Sequence, residues 1–395
     1  MNIRDQWLLP AGIEEVLPPQ SWRLEQVRRQ VLDLYRCWGY ELVIPPFIEY
    51  LESLLTGAGN DLDLQTFKLT DQLTGRMMGV RADMTPQAAR IDAHPMKSDF
   101  PSRLCYLGTV LHTRPDGFAG SRSPMQVGAE LFGHAGVDSD IEILSLVLET
   151  LSLTGVKDVH MDLGHVGIFR GLARDADLDR DQEIALFEAL QRKAVSDIDA
   201  LLGQTSAGSE QRQRLARLAD LNGDEGMLAE ARSVLSGAGD AVIAALDNLC
   251  EISEAMHRRM PDNRFYYDLA ELRGYNYQTG LVFAAFVPGY GQEIARGGRY
   301  DEIGRVFGRA RPATGFSTDL KTLIDLGCTG AALSGGAIYA PADDDTDLQQ
   351  VIRDLRNKGE KVVCELSAQP GGAGDMGCDR LLVKEAGKWL VKNRE

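Results

Sequence analysis

Two stretches decide how this chain is read: Glu271-Leu-Arg-Gly-Tyr-Asn-Tyr-Gln-Thr-Gly-Leu-Val-Phe283, and Ala295-Arg-Gly-Gly-Arg-Tyr-Asp301. In the first, Arg273 stands beside Gly274, where the absence of a Cβ lets another group approach the backbone closely. In the second, two glycines precede an arginine and a tyrosine. Each stretch alone is a weak glycine-rich signal. Their order and spacing carry more, because two further polar stretches precede them. These are Val80-Arg-Ala-Asp-Met-Thr-Pro86 and, after Arg103-Leu-Cys-Tyr-Leu-Gly108 and Arg114-Pro-Asp-Gly-Phe-Ala-Gly-Ser-Arg122, Gln126-Val-Gly-Ala-Glu130. Together they offer carboxylates for an ammonium, a hydroxyl and an amide to orient it, and a guanidinium for a carboxylate. That set suits a small zwitterion with a polar ring.

Side chains alternate along a strand, so Gln126, Gly128 and Glu130 share one face and Val127, Ala129 and Leu131 the other. A face bearing Gln, Gly and Glu is unusual for a core, because a buried carboxylate is costly without partners. The plain alternative is a solvent-facing strand. For Asp83-Met-Thr85 the plain alternative is a helix start, with Thr85 as cap, Asp83 at the positive end and Pro86 in the first turn.

The chain has 395 residues, room for two or three domains, and an ordinary apolar share of 44%. Acidic residues outnumber basic ones 58 to 42, a formal net charge of −16. Such a surface repels phosphate backbones, and no Lys/Arg cluster overrides it, which argues against a nucleic-acid partner. Six cysteines (Cys37, Cys105, Cys250, Cys328, Cys364 and Cys378) form no Cys-x-x-Cys pair and read as buried free thiols. No metal site is expected, since His94, His134, His160, His165 and His257 lack a second ligand at metal spacing. The first ten residues hold Arg4 and Asp5 without a long apolar run, unlike a secretory leader. No window approaches the ~18 apolar residues of a membrane span. A cytoplasmic protein is expected.

Apolar spacing predicts a helix from Pro19 to Trp38, stopped by Gly39, followed by an edge strand at Glu41–Pro46. Short strands follow at Gln65–Thr70, Arg76–Arg81, Leu104–Leu111 and Met125–Phe132, without helix-length crossovers, which reads as antiparallel. A helix near Ser139, with Glu142 completing a capping box, runs to Gly155. Residues 170–262 lack strand pattern. Helices are expected there at Ala185–Leu202, Gln211–Leu221, Met227–Leu235 and Ala241–Met260. Strands return at Arg264–Leu269, Leu281–Val287 and Gln292–Arg296, with a helix near Thr318–Leu326. After Gly330 a small α/β unit is expected: a strand at Ala337–Ala340, a helix at Asp347–Lys358, a strand at Lys361–Leu366, a flexible loop at Gly371–Gly377, and a hairpin folding about Ala386-Gly387. The expected domains are 1–169 with 263–330 as a core, 170–262 as a helical insertion, and 331–395 as the small unit.

At this point the sequence resembles class II histidyl-tRNA synthetases over roughly residues 1–330. Arg273-Gly-Tyr-Asn-Tyr277 followed by Gly297-Gly-Arg-Tyr-Asp301 is similar to that family's histidine-binding signature and third motif. The whole chain, with the Thr113–Arg122 run and the short tail, is more similar still to the synthetase-like regulatory subunits of ATP phosphoribosyltransferase. The resemblance implies an α+β fold: a class II synthetase-like antiparallel sheet with flanking helices, dimerised through Pro19–Pro46. It implies a histidine site in which Asp83, Thr85 and Gln126 receive the ammonium, Glu130 accepts the imidazole N–H, Arg273 meets the carboxylate, and Tyr277 and Tyr300 wall the pocket. Gln278 stands where the synthetases carry a tyrosine.

The departures point away from catalysis. The second-motif arginine that would hold an ATP phosphate falls at His112, with Arg114 two residues on. The arginine that ends the third motif falls at Thr322, next to Asp319. Adenylate chemistry needs fixed cations against phosphate charge. The expectation is therefore a non-enzymatic regulatory subunit, with no cofactor. It would partner the short-form catalytic subunit in the first step of histidine biosynthesis, activate it, and carry feedback by L-histidine, as a homodimer within a hetero-oligomer. The competing readings are a diverged histidyl-tRNA synthetase or related amino-acid-activating ligase, and a scaffold with no ligand.

Overall fold

A computed structural model describes residues 7–56, 60–115, 120–272, 274–275, 277–327 and 336–394. Two compact units divide the chain, Met1–Thr329 and Gly330–Glu395.

In chain order the first unit contains α1 (Gln20–Cys37), β1 (Glu41–Leu42), β2 (Ile48–Tyr50), α2 (Leu51–Leu54), α3 (Asn60–Gln65), β3 (Phe67–Thr70), β4 (Met77–Val80) and α4 (Thr85–Ile91). Next come β5 (Ser102–Thr109), β6 (Met125–Phe132), α5 (Val137–Leu153), β7 (His160–His165) and α6 (Val166–Asp175). A mainly helical run follows: α7 (Arg180–Gln191), α8 (Val195–Gly203), α9 (Ser209–Arg217), β8 (Asn222–Gly223), α10 (Gly226–Val234) and α11 (Asp240–Arg259). The unit closes with β9 (Arg264–Asp268), β10 (Leu281–Phe286), β11 (Ala295–Arg299), β12 (Ala313–Asp319) and α12 (Leu320–Leu326).

Among the described residues nine strands form one sheet in the order β1-β5-β6-β12-β11-β10-β7-β9-β8. Its middle, from β5 to β7, is antiparallel throughout. The sheet is nonetheless mixed, because β1 runs parallel to β5 and β9 parallel to β7. The second pair follows from a crossover: the helices α6–α11 join β7 to β9, and a long helical connection can return a chain parallel. A smaller sheet, β2-β4-β3, lies beside it in sequence. One large core joins Val127, Ala129 and Leu131 of β6, the inner faces of α1 and α5, and helices α6–α11.

Several sequence expectations need correction. The helix expected over Ala185–Leu202 is two, broken at Arg192–Ala194, where Lys193 adopts φ 50°. Apolar spacing continues across such a break, so periodicity alone hides it. No side-chain cap opens α5. The Ser139 hydroxyl instead donates to the carbonyls of His134 and Gly136, and Glu142 is taken by Arg103 and Tyr40. Thr85 does not cap α4; its hydroxyl turns to Tyr106. The strand expected at Gln292–Arg296 lies three residues later, and the strands β7 and β12 had no counterpart in the sequence reading. Of the described cysteines, Cys105 and Cys378 are buried but Cys37 is exposed; all are free. The stop of α1 at Gly39 (φ 81°) and of α5 at Gly155 (φ 80°) falls where the sequence placed it.

The second unit has β13 (Ala337–Ala340), α13 (Thr346–Asn357), β14 (Val362–Cys364), β15 (Cys378–Glu385) and β16 (Lys388–Asn393), with sheet order β14-β13-β15-β16. Leu348 and Ile352 of α13 pack on Ile338, Ala340, Val362 and Leu382. Ala386 and Gly387 both have positive φ, the two-residue turn that matches the twist of a hairpin. No helix among the described residues is long and apolar enough to cross a membrane.

Candidate functional site

The register of three neighbouring strands builds the floor of a cavity in the first unit. Tyr106 of β5 lies opposite Gly128 of β6; Glu130, Gly128 and Gln126 lie opposite Gly315, Ser317 and Asp319 of β12. Four residues of strand separate Glu130 from Gln126, roughly 14 Å at ~3.4 Å per residue. The glycines are what keep this face open. A Cβ on Gly315 would fall 1.6 Å from the Glu130 Oε2, and one on Gly128 would meet the Tyr106 hydroxyl at 2.5 Å. Polar side chains thus lie flat over bare backbone. The cavity measures about 770 Å³, toward the upper part of the usual small-ligand range.

Seven of the eight residues singled out from the sequence line it: Asp83, Thr85, Gln126, Glu130, Tyr277, Gln278 and Tyr300. Arg273, the eighth, lies outside the described residues. Gln126 is fixed at both ends, its Nε2 donating to Asp83 at 2.7 Å and its Oε1 accepting from the Met84 amide at 2.9 Å. Asp83 also accepts from the Thr85 amide at 2.9 Å, which keeps its carboxylate at the start of α4. Glu130 is 1% exposed. Tyr106 donates to its Oε1 at 2.7 Å, Tyr300 donates to its Oε2, and Thr85 meets Tyr106 at 2.9 Å. Burial, reinforced by the nearby Asp83, raises the Glu130 carboxyl to about 8 against the pull of the two phenols. Burial and the Glu130 charge in turn push both phenols well above their ordinary range.

Tyr106 was missed as a site residue. Its position opposite Gly128 is set by strand pairing, and no local motif marks it. Gln278 is 4% exposed, with an Oε1 that has no partner in the described structure. Tyr277 is about half exposed, its ring over Gly274.

Other conspicuous arginines are spent on structure. Arg81 binds the carbonyls of Thr109 and Pro45. Arg299, from the Gly-Gly-Arg-Tyr-Asp stretch, pairs with Asp140 at 3.0 Å and with Asp301 at 3.1 Å. Arg296 lines the cavity and pairs with Glu293 at 3.3 Å. His112 is buried, its Nε2 bound to the Ala82 carbonyl at 2.9 Å. Arg114 is exposed and does not line the cavity. Asp319 accepts from the amides of Met125 and Lys321 and from the Thr322 hydroxyl, and burial raises its carboxyl. An imidazole, His112, and a hydroxyl, Thr322, thus line the cavity on this side. The described lining has five carboxyl groups (Asp83, Glu130, Glu271, Glu293 and Asp319) and one guanidinium, Arg296.

Comparison with known proteins places the chain in a family. The histidyl-tRNA synthetase family model matches residues 12–323, and that of the ATP phosphoribosyltransferase subunit HisZ C-terminal domain matches 335–392. An ATP phosphoribosyltransferase regulatory subunit of Thioalkalivibrio sulfidiphilus is 61% identical over 392 residues, 99% of each chain. One of Alkalilimnicola ehrlichii is 58% identical, over 98% of this chain and 97% of that one. Among solved structures, an ATP phosphoribosyltransferase regulatory subunit/histidyl-tRNA synthetase from Bacillus halodurans superposes with a TM-score of 0.83 at 25% identity, covering 94% and 95% of the two chains. A histidyl-tRNA synthetase from Nostoc shares the fold, with a TM-score of 0.77 at 19% identity and coverage of 98% and 97%. With its synthetase-like fold and non-catalytic role, the chain belongs to the family of ATP phosphoribosyltransferase regulatory subunits.

Proposed function

We propose that this chain assembles with the short-form catalytic subunit of ATP phosphoribosyltransferase, activates it, and conveys feedback inhibition by L-histidine bound in the cavity over β6 and β12. The observation that carries this is the Glu130 constellation. A buried carboxyl gripped by two phenols is a fixed hydrogen-bond partner for an imidazole nitrogen. Asp83 and Gln126, locked together at 2.7 Å, offer an acidic seat for the ammonium on the same floor. Tyr277 and Gln278 close the side, and Arg273 is assigned to the carboxylate through the sequence resemblance alone.

Feedback requires histidine to bind one quaternary state of the complex more tightly than another. Typical coupling of ~1–3 kcal/mol would change activity by ~5–150-fold. Co-expression with a short-form catalytic subunit, followed by assay with and without histidine, tests the whole reading; equal activity in both conditions defeats it. Calorimetry should detect L-histidine binding to the wild-type chain and none to Glu130→Ala. Unchanged binding would move the site elsewhere.

Adenylate formation is not expected: by the sequence resemblance His112 and Thr322 stand at the arginine positions, and Asp319 adds a carboxyl group to the cavity lining. Robust histidine-dependent pyrophosphate exchange would instead favour a ligase. Homodimerisation through α1 and the β1 edge accords with the exposure there of Trp22, Leu42 and Ile44, the last at 82%. Sedimentation of Ile44→Asp as a dimer indistinguishable from wild type would discount that surface.

A further inference from the structure

The turn Gly274–Gln278, which supplies Tyr277 and Gln278 to the cavity, is held from outside by the helices α6 and α7. Tyr275, the second residue of the turn, is 7% exposed. Its ring stacks on Phe187 of α7, with centroids 4.9 Å apart and planes inclined by 26°, and meets Phe169 of α6 edge-on at 5.4 Å. Its hydroxyl donates to Glu183, one turn earlier on α7. Arg170 of α6 places its guanidinium 4.5 Å over the same ring and donates to the carbonyls of Gln278, at 2.6 Å, and Tyr275. Among the described residues of the turn, the Tyr277 and Gln278 amides both donate to the Gly274 carbonyl. Phe187 and Gln191 themselves line the cavity beside Tyr275.

From this clamp we infer that α6 and α7 position the recognition turn, with Phe187, Glu183 and Arg170 as positioning residues for whatever ligand the cavity takes. The helical run, whose role the sequence left open, then serves the pocket directly. A capping box at Asp179 and Gln182 fixes the start of α7, so the clamp rests on a helix with a defined end. Loss of one aromatic partner should loosen the turn without opening the core. The prediction for the ligand rests on the histidine reading above; the prediction for the turn does not.

The test compares the full chain with Phe187→Ala, Phe187→Tyr and a control, Leu202→Ala, which empties a buried site on α8. Hydrogen exchange of the Tyr277 and Gln278 amides should quicken in Phe187→Ala, and the Kd for L-histidine should rise roughly 2–10-fold, the scale of an aromatic pair. Phe187→Tyr keeps the ring and should restore both. Leu202→Ala should lower the melting temperature while leaving the turn's exchange and the Kd at wild-type values. Unchanged exchange in Phe187→Ala, or equal changes in Leu202→Ala, would overturn the positioning role. A wild-type chain that binds no histidine, yet exchanges faster at the turn in Phe187→Ala, would refute the ligand and uphold the clamp.

Discussion

Glu130, buried, and Asp319, half-buried, are two carboxyls at opposite ends of the same strand pair, and they are used in opposite ways. Glu130 lies opposite Gly315 and is held by side-chain hydroxyls alone, so it keeps hydrogen-bonding capacity facing the cavity. Asp319 lies opposite Gln126 and is filled by two backbone amides and the Thr322 hydroxyl, capping α12. Burial raises both. One end of the floor therefore keeps its carboxyl in the cavity wall, and the other has turned its carboxyl onto the protein. One strand pair can thus leave one carboxyl chemically open while the other becomes part of the structure.

The contrast can be broken most sharply at Gly315. In Gly315→Ala the new Cβ would strike Glu130 and come within 2.7 Å of the Ala129 carbonyl. Glu130 would have to leave its phenols, and a ligand polar group left buried without its partner costs roughly 5–150-fold in affinity. Calorimetry should show histidine affinity falling by about 100-fold; wild-type affinity would contradict the floor geometry.

The pH dependence of stability sharpens the same point. In the unfolded chain Glu130 ionises near 4.5, but in the folded chain only near 8. The folded state holds the extra proton between those values, so this contribution is full below 4.5 and is lost as pH rises through 8. Glu130→Gln, neutral at every pH, should flatten the decline in melting temperature between pH 5 and 9, an effect on the order of a few kcal/mol. A decline identical to wild type would show that the carboxyl is not held neutral.

The smallest effect belongs to Asp319. Asp319→Ala removes the cap of α12 and should cost ~0.5–2 kcal/mol of stability in thermal or urea unfolding. Histidine affinity should stay within about twofold of wild type. A large loss of affinity would mean that the two ends of the floor are not separable.

Much of the site was legible in the sequence because local rules set it. The alternation Gln126-Val-Gly-Ala-Glu130 assigns faces with no knowledge of neighbours, and a polar face interrupted by glycine announces a recess. Tyr106 and Gly315 were not legible as site residues, because their meaning comes from lying opposite Gly128 and Glu130 in the register. The break in α7–α8 escaped because apolar spacing continues through it. The parallel pairing of β7 with β9 depends on where the intervening helices deliver the chain, which spacing does not record.

The sequence by itself determined the polar inventory of the pocket, the glycine helix stops and the hairpin at Ala386-Gly387. Each depends on residue chemistry or on φ, both properties of short segments. Only the tertiary structure decided that Glu130 is buried between Tyr106 and Tyr300, that Asp319 is consumed as a cap, and that α7 braces the turn at Tyr275. Burial, hydrogen-bond saturation and ring stacking belong to groups brought together from distant parts of the chain, so they exist only after the strands have paired and the helices have packed.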